Sequence, residues 1–121
     1  MSSSRLLDRL QRLSHLQDLE MMIREAEDAQ AKEREEGMGF QLMGLEKLHS
    51  AREKWRAQLD ARDLRLFDRI MKRHNRAIVP VEDRICLGCY MSLPTSVTPP
   101  TGEQDRLLTC ENCGRILYWL A

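Results

Sequence analysis

Two pairs of cysteines constrain this chain more than any other feature. They read Cys86-Leu-Gly-Cys89, twenty intervening residues, then Cys110-Glu-Asn-Cys113-Gly114, and they are the chain's four cysteines. Two residues between paired cysteines let both sulfurs of one turn reach a single ion. Two such turns brought together make a tetrahedral set of four thiolates. Gly88 and Gly114 supply the backbone freedom that tight turns need. A segment of about forty residues also buries too little surface to fold without a metal or disulfides. The spacing therefore predicts one structural zinc ion held by Cys86, Cys89, Cys110 and Cys113, with no coordination position left for water. Two disulfides, or a redox pair, are the alternatives. A thioredoxin-like motif would use one such pair in a βαβ setting, and no such setting is legible here. Met1 to Arg5 leads straight into amphipathic sequence without an apolar signal region, which argues for a cytoplasmic, reducing context and against disulfides.

The residues around the cysteines read as a zinc ribbon. Tyr90 to Leu93 leaves the first turn, Val97 to Asp105 with Pro99-Pro100 and Gly102 makes an exposed loop, Arg106 to Thr109 returns, and Arg115 to Leu120 forms a last strand. Val79, Val81 and Ile85 are β-type residues. All four prolines lie at positions 80, 94, 99 and 100, which puts the boundary of this domain near residues 77–81. His15, His49 and His74 fall outside it and are read as surface or seam residues, not ligands.

Residues 1–76 read as a helical hairpin, with helices at about 5–36 and 40–76. Ser4 is an N-cap candidate. No Pro or Gly interrupts Arg5 to Glu36, and Leu6, Leu10, Leu13, Leu16, Leu19, Ile23, Ala26 and Gln30 recur at spacings of three and four. Gly37-Met38-Gly39 then marks a turn. Leu45, Leu48, Trp55, Leu59, Leu66 and Ile70 form a second seam, broken by Arg52 and Arg62. A tight turn at Met38 would set Leu6 near Ile70, Leu10 near Leu66, Met21 near Trp55 and Ala31 near Leu45, an antiparallel two-helix coiled coil. A continuous helix through the glycines is the other option. A homodimer through a remaining apolar stripe is left open. Met21, Met22, Met38 and Met43 read as seam filling. The fold class is thus α plus small β: a two-helix coiled-coil hairpin followed by a C-terminal zinc ribbon. No stretch reaches the length of a membrane span.

The net charge of zero hides a division: residues 1–36 carry −3, residues 40–76 carry +5 and residues 77–121 carry −2. Arg62, Arg65, Arg69, Lys72, Arg73 and Arg76 are spaced three and four apart and form one basic stripe. The stripe reads either as a docking surface for an acidic partner, a phosphate backbone or an acidic protein segment, or as a solvated face paired locally to Asp8, Asp60, Asp63 and Asp68. Tyr90, Tyr118 and Trp119 could stack on bases, although strand aromatics in so small a domain usually form its core.

Phe67-Asp-Arg-Ile70, Ala77-Ile-Val-Pro-Val81, Cys86-Leu-Gly-Cys89, Leu93-Pro94 and Cys110-Glu-Asn-Cys113-Gly114-Arg115-Ile116-Leu117-Tyr118 together resemble the bacterial C4-type zinc ribbon family. In that family a long antiparallel coiled-coil hairpin precedes the ribbon. The resemblance implies a non-enzymatic binding or adaptor protein with the four cysteines as zinc ligands. It also implies partners in flagellar or type III secretion systems or in transcription with the sigma-54 factor, and RNA for some members. A second, more distant resemblance is to RNA polymerase secondary-channel regulators, which join a hairpin with an acidic tip to a four-cysteine site; Glu33, Glu35 and Glu36 would be that tip. The expected function is a cytoplasmic regulatory adaptor that binds a protein partner. The alternative is an RNA- or DNA-binding regulator acting through the basic stripe. An enzyme is not expected, since no nucleophile-base pair, phosphate loop or open metal site is legible. Releasing the metal, by replacing Cys110 with Ser, is expected to unfold residues 81–121 and leave the helices.

Overall fold

The computed structural model describes residues 2–35, 43–99 and 106–119. It is α plus small β: three helices and one three-stranded sheet. Helix α1 spans Ser2–Glu35, α2 Met43–Ala57 and α3 Ala61–Met71. The turn at Gly37-Met38-Gly39 and the side chains of Glu33, Glu35, Glu36 and Met43 lie outside the described residues. The seam read from α1 is present: Leu6, Leu13, Leu16, Ile23 and Gln30 are buried, and Leu10, Leu19 and Ala26 half-buried.

The helix expected over 40–76 is two helices instead. Gln58 and Leu59 donate to the carbonyls of Trp55 and Arg56, three residues back, which tightens and ends α2. Asp60 then takes an extended conformation (ψ 139°) and accepts the Arg62 N–H on its carboxylate as the N-cap of α3.

This break changes the direction of the chain. Along α2 the partners on α1 run backwards: Glu27 with His49, Glu20 with Arg52, and Arg12 with the Gln58 carbonyl. His15 stacks on Trp55 at 5.0 Å between ring centroids. Along α3 they run forwards: Arg9 with Asp63, then Arg24 with the Met71 carbonyl. The Arg56 guanidinium holds both oxygens of Asp68 at 2.9 and 2.7 Å, across a turn that folds α3 back beside α2. A straight second arm would put twelve residues, about 18 Å, between Arg56 and Asp68. The expected pairing of facing residues about Met38 therefore holds only roughly, along α2, and fails along α3.

Strands β1 (Ile78–Glu82), β2 (Ile85–Cys86) and β3 (Ile116–Trp119) form a sheet of order β2-β1-β3. β1 and β2 are an antiparallel hairpin, Val81 opposite Cys86, closed by Asp83 and Arg84, both at positive φ (49° and 64°). This two-residue turn has the twist that antiparallel strands prefer. β1 and β3 are parallel, with Ile78 opposite Ile116 and Val81 opposite Trp119. Pro80 lacks an N–H to give the sheet, and β2 is too short to ask for one; its carbonyl accepts from Leu87. The segments read as strands at Tyr90–Leu93 and Arg106–Thr109 contribute single bridges, Ser92 to Ile85 and Thr109 to Ile116.

Alternation along the strands divides two cores. Ile78 and Ile116 face the helices and pack with Leu13, Leu16, Phe67, Ile70, Met71 and Ala77. Val79, Val81 and Leu117 face the other way and pack with Leu93 and the cysteines. Gln17, 4% exposed, fastens α1 to the start of β1: its Oε1 accepts the N–H groups of Ala77 (2.5 Å) and Ile78 (2.8 Å).

Candidate metal centre

The two cysteine pairs sit on turns of the same build. In the first, the Tyr90 N–H donates to the Cys86 carbonyl at 2.7 Å and the Cys86 N–H to the Met91 carbonyl at 3.0 Å. In the second, the Gly114 N–H donates to the Cys110 carbonyl at 2.8 Å and the Cys110 N–H to the Arg115 carbonyl at 2.9 Å. The residue after the second cysteine is left-handed in both, Tyr90 at φ 63° and Gly114 at φ 79°. Glycine adopts this conformation freely; tyrosine does so at a cost.

The turns bring all four sulfurs within 4.8 Å of one another. Cys86 Sγ lies 3.8 Å from Cys113 Sγ, and Cys89 Sγ 3.7 Å from Cys110 Sγ. A tetrahedron of sulfurs about 2.3 Å from a central ion has edges of about 3.8 Å. Disulfide sulfurs stand about 2.05 Å apart, and all four cysteines here are free thiols. The donor set thus fits one metal ion, with ligands drawn equally from the two turns.

The thiols are not equivalent. Burial pushes Cys86 up to about 12, beyond what the N–H groups of Cys89 and Gly88 recover. Burial also raises Cys113. At Cys89 burial is outweighed by hydrogen bonds from the Asn112 side chain, the Met91 backbone and the thiols of Cys110 and Cys86, and the group falls to about 6. Cys89 is therefore the natural first thiolate for an arriving cation.

Residues far away in sequence brace the second turn. His74 Nε2 lies 3.1 Å from the Cys113 carbonyl, and its Nδ1 accepts from Arg115 Nη2 at 3.0 Å. With Nδ1 accepting, the proton sits on Nε2 and donates to Cys113. Arg115 Nε also donates to the Arg76 carbonyl at 3.1 Å. The Arg115 side chain runs over Gly88, where a Cβ would stand 2.7 Å from Nη1 and 3.0 Å from Val79 Cγ1. Nothing in the sequence spacing marks His74, Arg115 or Gln17, because their partners lie roughly forty to sixty residues away. His74, expected to be a surface or seam residue, is half-buried and braces the second cysteine turn.

The basic stripe is also placed. Arg62, Arg65 and Arg69 lie on α3, and Lys72, Arg73 and Arg76 follow it; all six are exposed. The carboxylates expected to pair with them are occupied elsewhere. Asp8 pairs with Arg12, Asp63 with Arg9, Asp68 with Arg56, and Asp60 caps α3. Among the described residues the guanidinium and ammonium groups of the six make no side-chain hydrogen bond or ion pair; other side chains reach only the backbones of Arg62 and Arg76, from Asp60 and Arg115. Trp119 packs beside the metal-facing core and Tyr118 beside the helix-facing one, while Tyr90 is 74% exposed.

No helix among the described residues is long and apolar enough to cross a membrane. No protein-family model and no curated protein matches the chain. Among solved structures, the chain is similar to CT398 from Chlamydia trachomatis, with a TM-score of 0.55 and 32% sequence identity. The match covers 64% of this chain and 33% of that one, so the chain spans about a third of the length of the solved protein it matches.

Proposed function

We propose that this chain is a non-enzymatic adaptor in which a structural zinc ion sets the shape of a ribbon that, with the helices, presents surfaces to a protein partner. One observation carries the reading: four thiol sulfurs, two from each turn, lie within 4.8 Å of one another. Four thiolates fill the coordination sphere of a tetrahedral ion. An all-sulfur tetrahedral set selects zinc or an iron–sulfur centre over hard cations, and its role is to hold two turns together. The resemblance to C4-type zinc ribbon proteins supports a bacterial, cytoplasmic protein of this kind serving transcription, secretion or flagellar regulation, and the likeness to CT398 from a bacterium supports the fold.

Two measurements test it. Metal analysis of the purified chain should give one zinc per chain, lost in Cys110→Ser; iron with visible absorbance would overturn the assignment. Cross-linked capture from cell extract should then recover a protein partner in near-stoichiometric amount with the zinc-loaded chain and not with Cys110→Ser. Recovery of no protein, or equal recovery by both forms, would overturn the adaptor reading.

A further inference from the structure

We propose that the exposed face of α3 is where the partner docks, and that the docking segment is an acidic amphipathic helix whose carboxylates engage Arg65, Arg69 and Arg73. The inference deepens the adaptor reading and rests on it. Its first support is the charge distribution: Asp8, Asp60, Asp63 and Asp68 are each used by another group, and among the described residues the six exposed cations have no side-chain partner. An uncompensated cluster of arginines raises the local concentration of an anionic partner and presents paired N–H donors to carboxylates.

The spacing supports a helix. Arg65 and Arg69 stand four residues apart on α3, a rise of about 6 Å, which is the rise between carboxylates four apart on a partner helix, and Arg73 follows in the turn that ends α3. Beside Arg69 and Arg73 lies a cleft of about 180 Å³, lined also by Leu66, Ile70, His74 and Thr109 and closed by Cys113 and Gly114 of the second cysteine turn. Its apolar wall suits an aliphatic side chain set between the carboxylates. The alternative occupant is a nucleic-acid strand. Non-specific strand binding combines a basic groove with exposed aromatic platforms. Among the described residues the one ring side chain lining this cleft is His74, half-buried and held at both nitrogens by Arg115 and the Cys113 carbonyl, and Phe67 of α3 is buried in the core.

The test uses the zinc-loaded full chain and fluorescence anisotropy at about 0.15 M salt. The probes are a labelled helical peptide of about 18 residues, with glutamates four apart and one leucine between them, and a labelled single-stranded RNA of equal charge. The peptide should bind, and Arg65→Glu/Arg69→Glu/Arg73→Glu should weaken it at least about tenfold with zinc content and helicity unchanged. Lys47→Glu/Lys54→Glu on α2 should leave it unaltered. Replacing the peptide's leucine with alanine should weaken binding, and replacing its glutamates with glutamine should abolish it. No peptide binding, binding indifferent to the α3 reversals, or tighter RNA binding lost on those reversals would each overturn the proposal. Should the peptide fail while capture of a protein still needs zinc, the docking face is wrong and the adaptor reading stands.

Discussion

At the scale of single residues, the two turns differ in who bears the left-handed position. Tyr90 holds φ 63° where Gly114 holds 79°. The penalty for a side chain there is about 1–2 kcal/mol, offset in part by the greater freedom glycine loses on folding. Tyr90→Gly is therefore expected to raise the thermal midpoint by an amount worth up to about 1 kcal/mol, read by differential scanning calorimetry of the zinc-loaded chain. Gly88 shows the opposite constraint. A methyl there meets Val79 and the Arg115 side chain, and moving Arg115 gives up its bonds to Arg76 and His74. Gly88→Ala should cost about 1–3 kcal/mol, seen as a lower denaturant midpoint. The thiols set the pH response. With the two turns folded and no metal bound, Cys86, at about 12, and Cys113, also raised, carry protons at pH 7, whereas Cys89, at about 6, is mostly thiolate. Binding to the folded turns must expel at least the two protons on Cys86 and Cys113, and unfolding of the metal-free segment only adds to that number, so affinity rises with pH by at least about a hundredfold per unit near neutrality. Below pH 6 Cys89 is protonated too and the fall steepens. Calorimetric titrations with zinc in buffers of different ionisation enthalpy count these protons; fewer than about two would contradict the assignment.

At the scale of elements, what was legible in the sequence and what was not divide on one physical ground. Period and spacing report on local geometry. Hence the α1 seam, the two cysteine turns and the β character of Val79, Val81 and Ile85 could all be read directly. The α2–α3 reversal could not. It contains no Pro or Gly, only Asp60 with its cap and Asp63 three residues on, and Arg62 looked like a fault in a continuous seam. What fixes the reversal is distant: Arg9 holding the buried Asp63, and Arg56 holding Asp68. The same holds for His74, Arg115 and Gln17 around the metal centre. The Arg9–Asp63 pair is open to test. Asp63 is 3% exposed, and removing its partner leaves a buried charge uncompensated. Arg9→Ala should destabilise the chain by about 3 kcal/mol, whereas Arg12→Ala, with its exposed Asp8 partner, should cost under about 1 kcal/mol. Urea denaturation compares the two; equal costs would show that Asp63 is not held as described.

At the scale of the whole molecule, the helices and the cysteine-bearing sheet share a core. Ile78 and Ile116 belong to the sheet yet pack on Leu13, Leu16, Phe67 and Ile70. Loss of the metal then reaches beyond residues 81–121, because an unfolding ribbon uncovers the inner faces of α1 and α3. The expectation from sequence that the helices stay largely helical is joined by a second one, that they become less stable. Chelating the ion should lower the melting temperature of the helices themselves, followed by circular dichroism at 222 nm, the helix signal, with and without EDTA. An unchanged helical melt would show the two parts to be uncoupled. Gln17 carries a related consequence for how the chain is made. Its side chain satisfies two N–H groups at the first residues of the sheet, some sixty positions downstream, and buried N–H groups without partners are costly. A ribosome delivers α1 long before β1, so the growing ribbon meets a helix already waiting to receive it. The reverse order, with a ribbon made first and its leading strand unanswered, would expose that strand for as long as synthesis lasted. In this chain the temporal sequence of translation and the spatial logic of the clasp coincide.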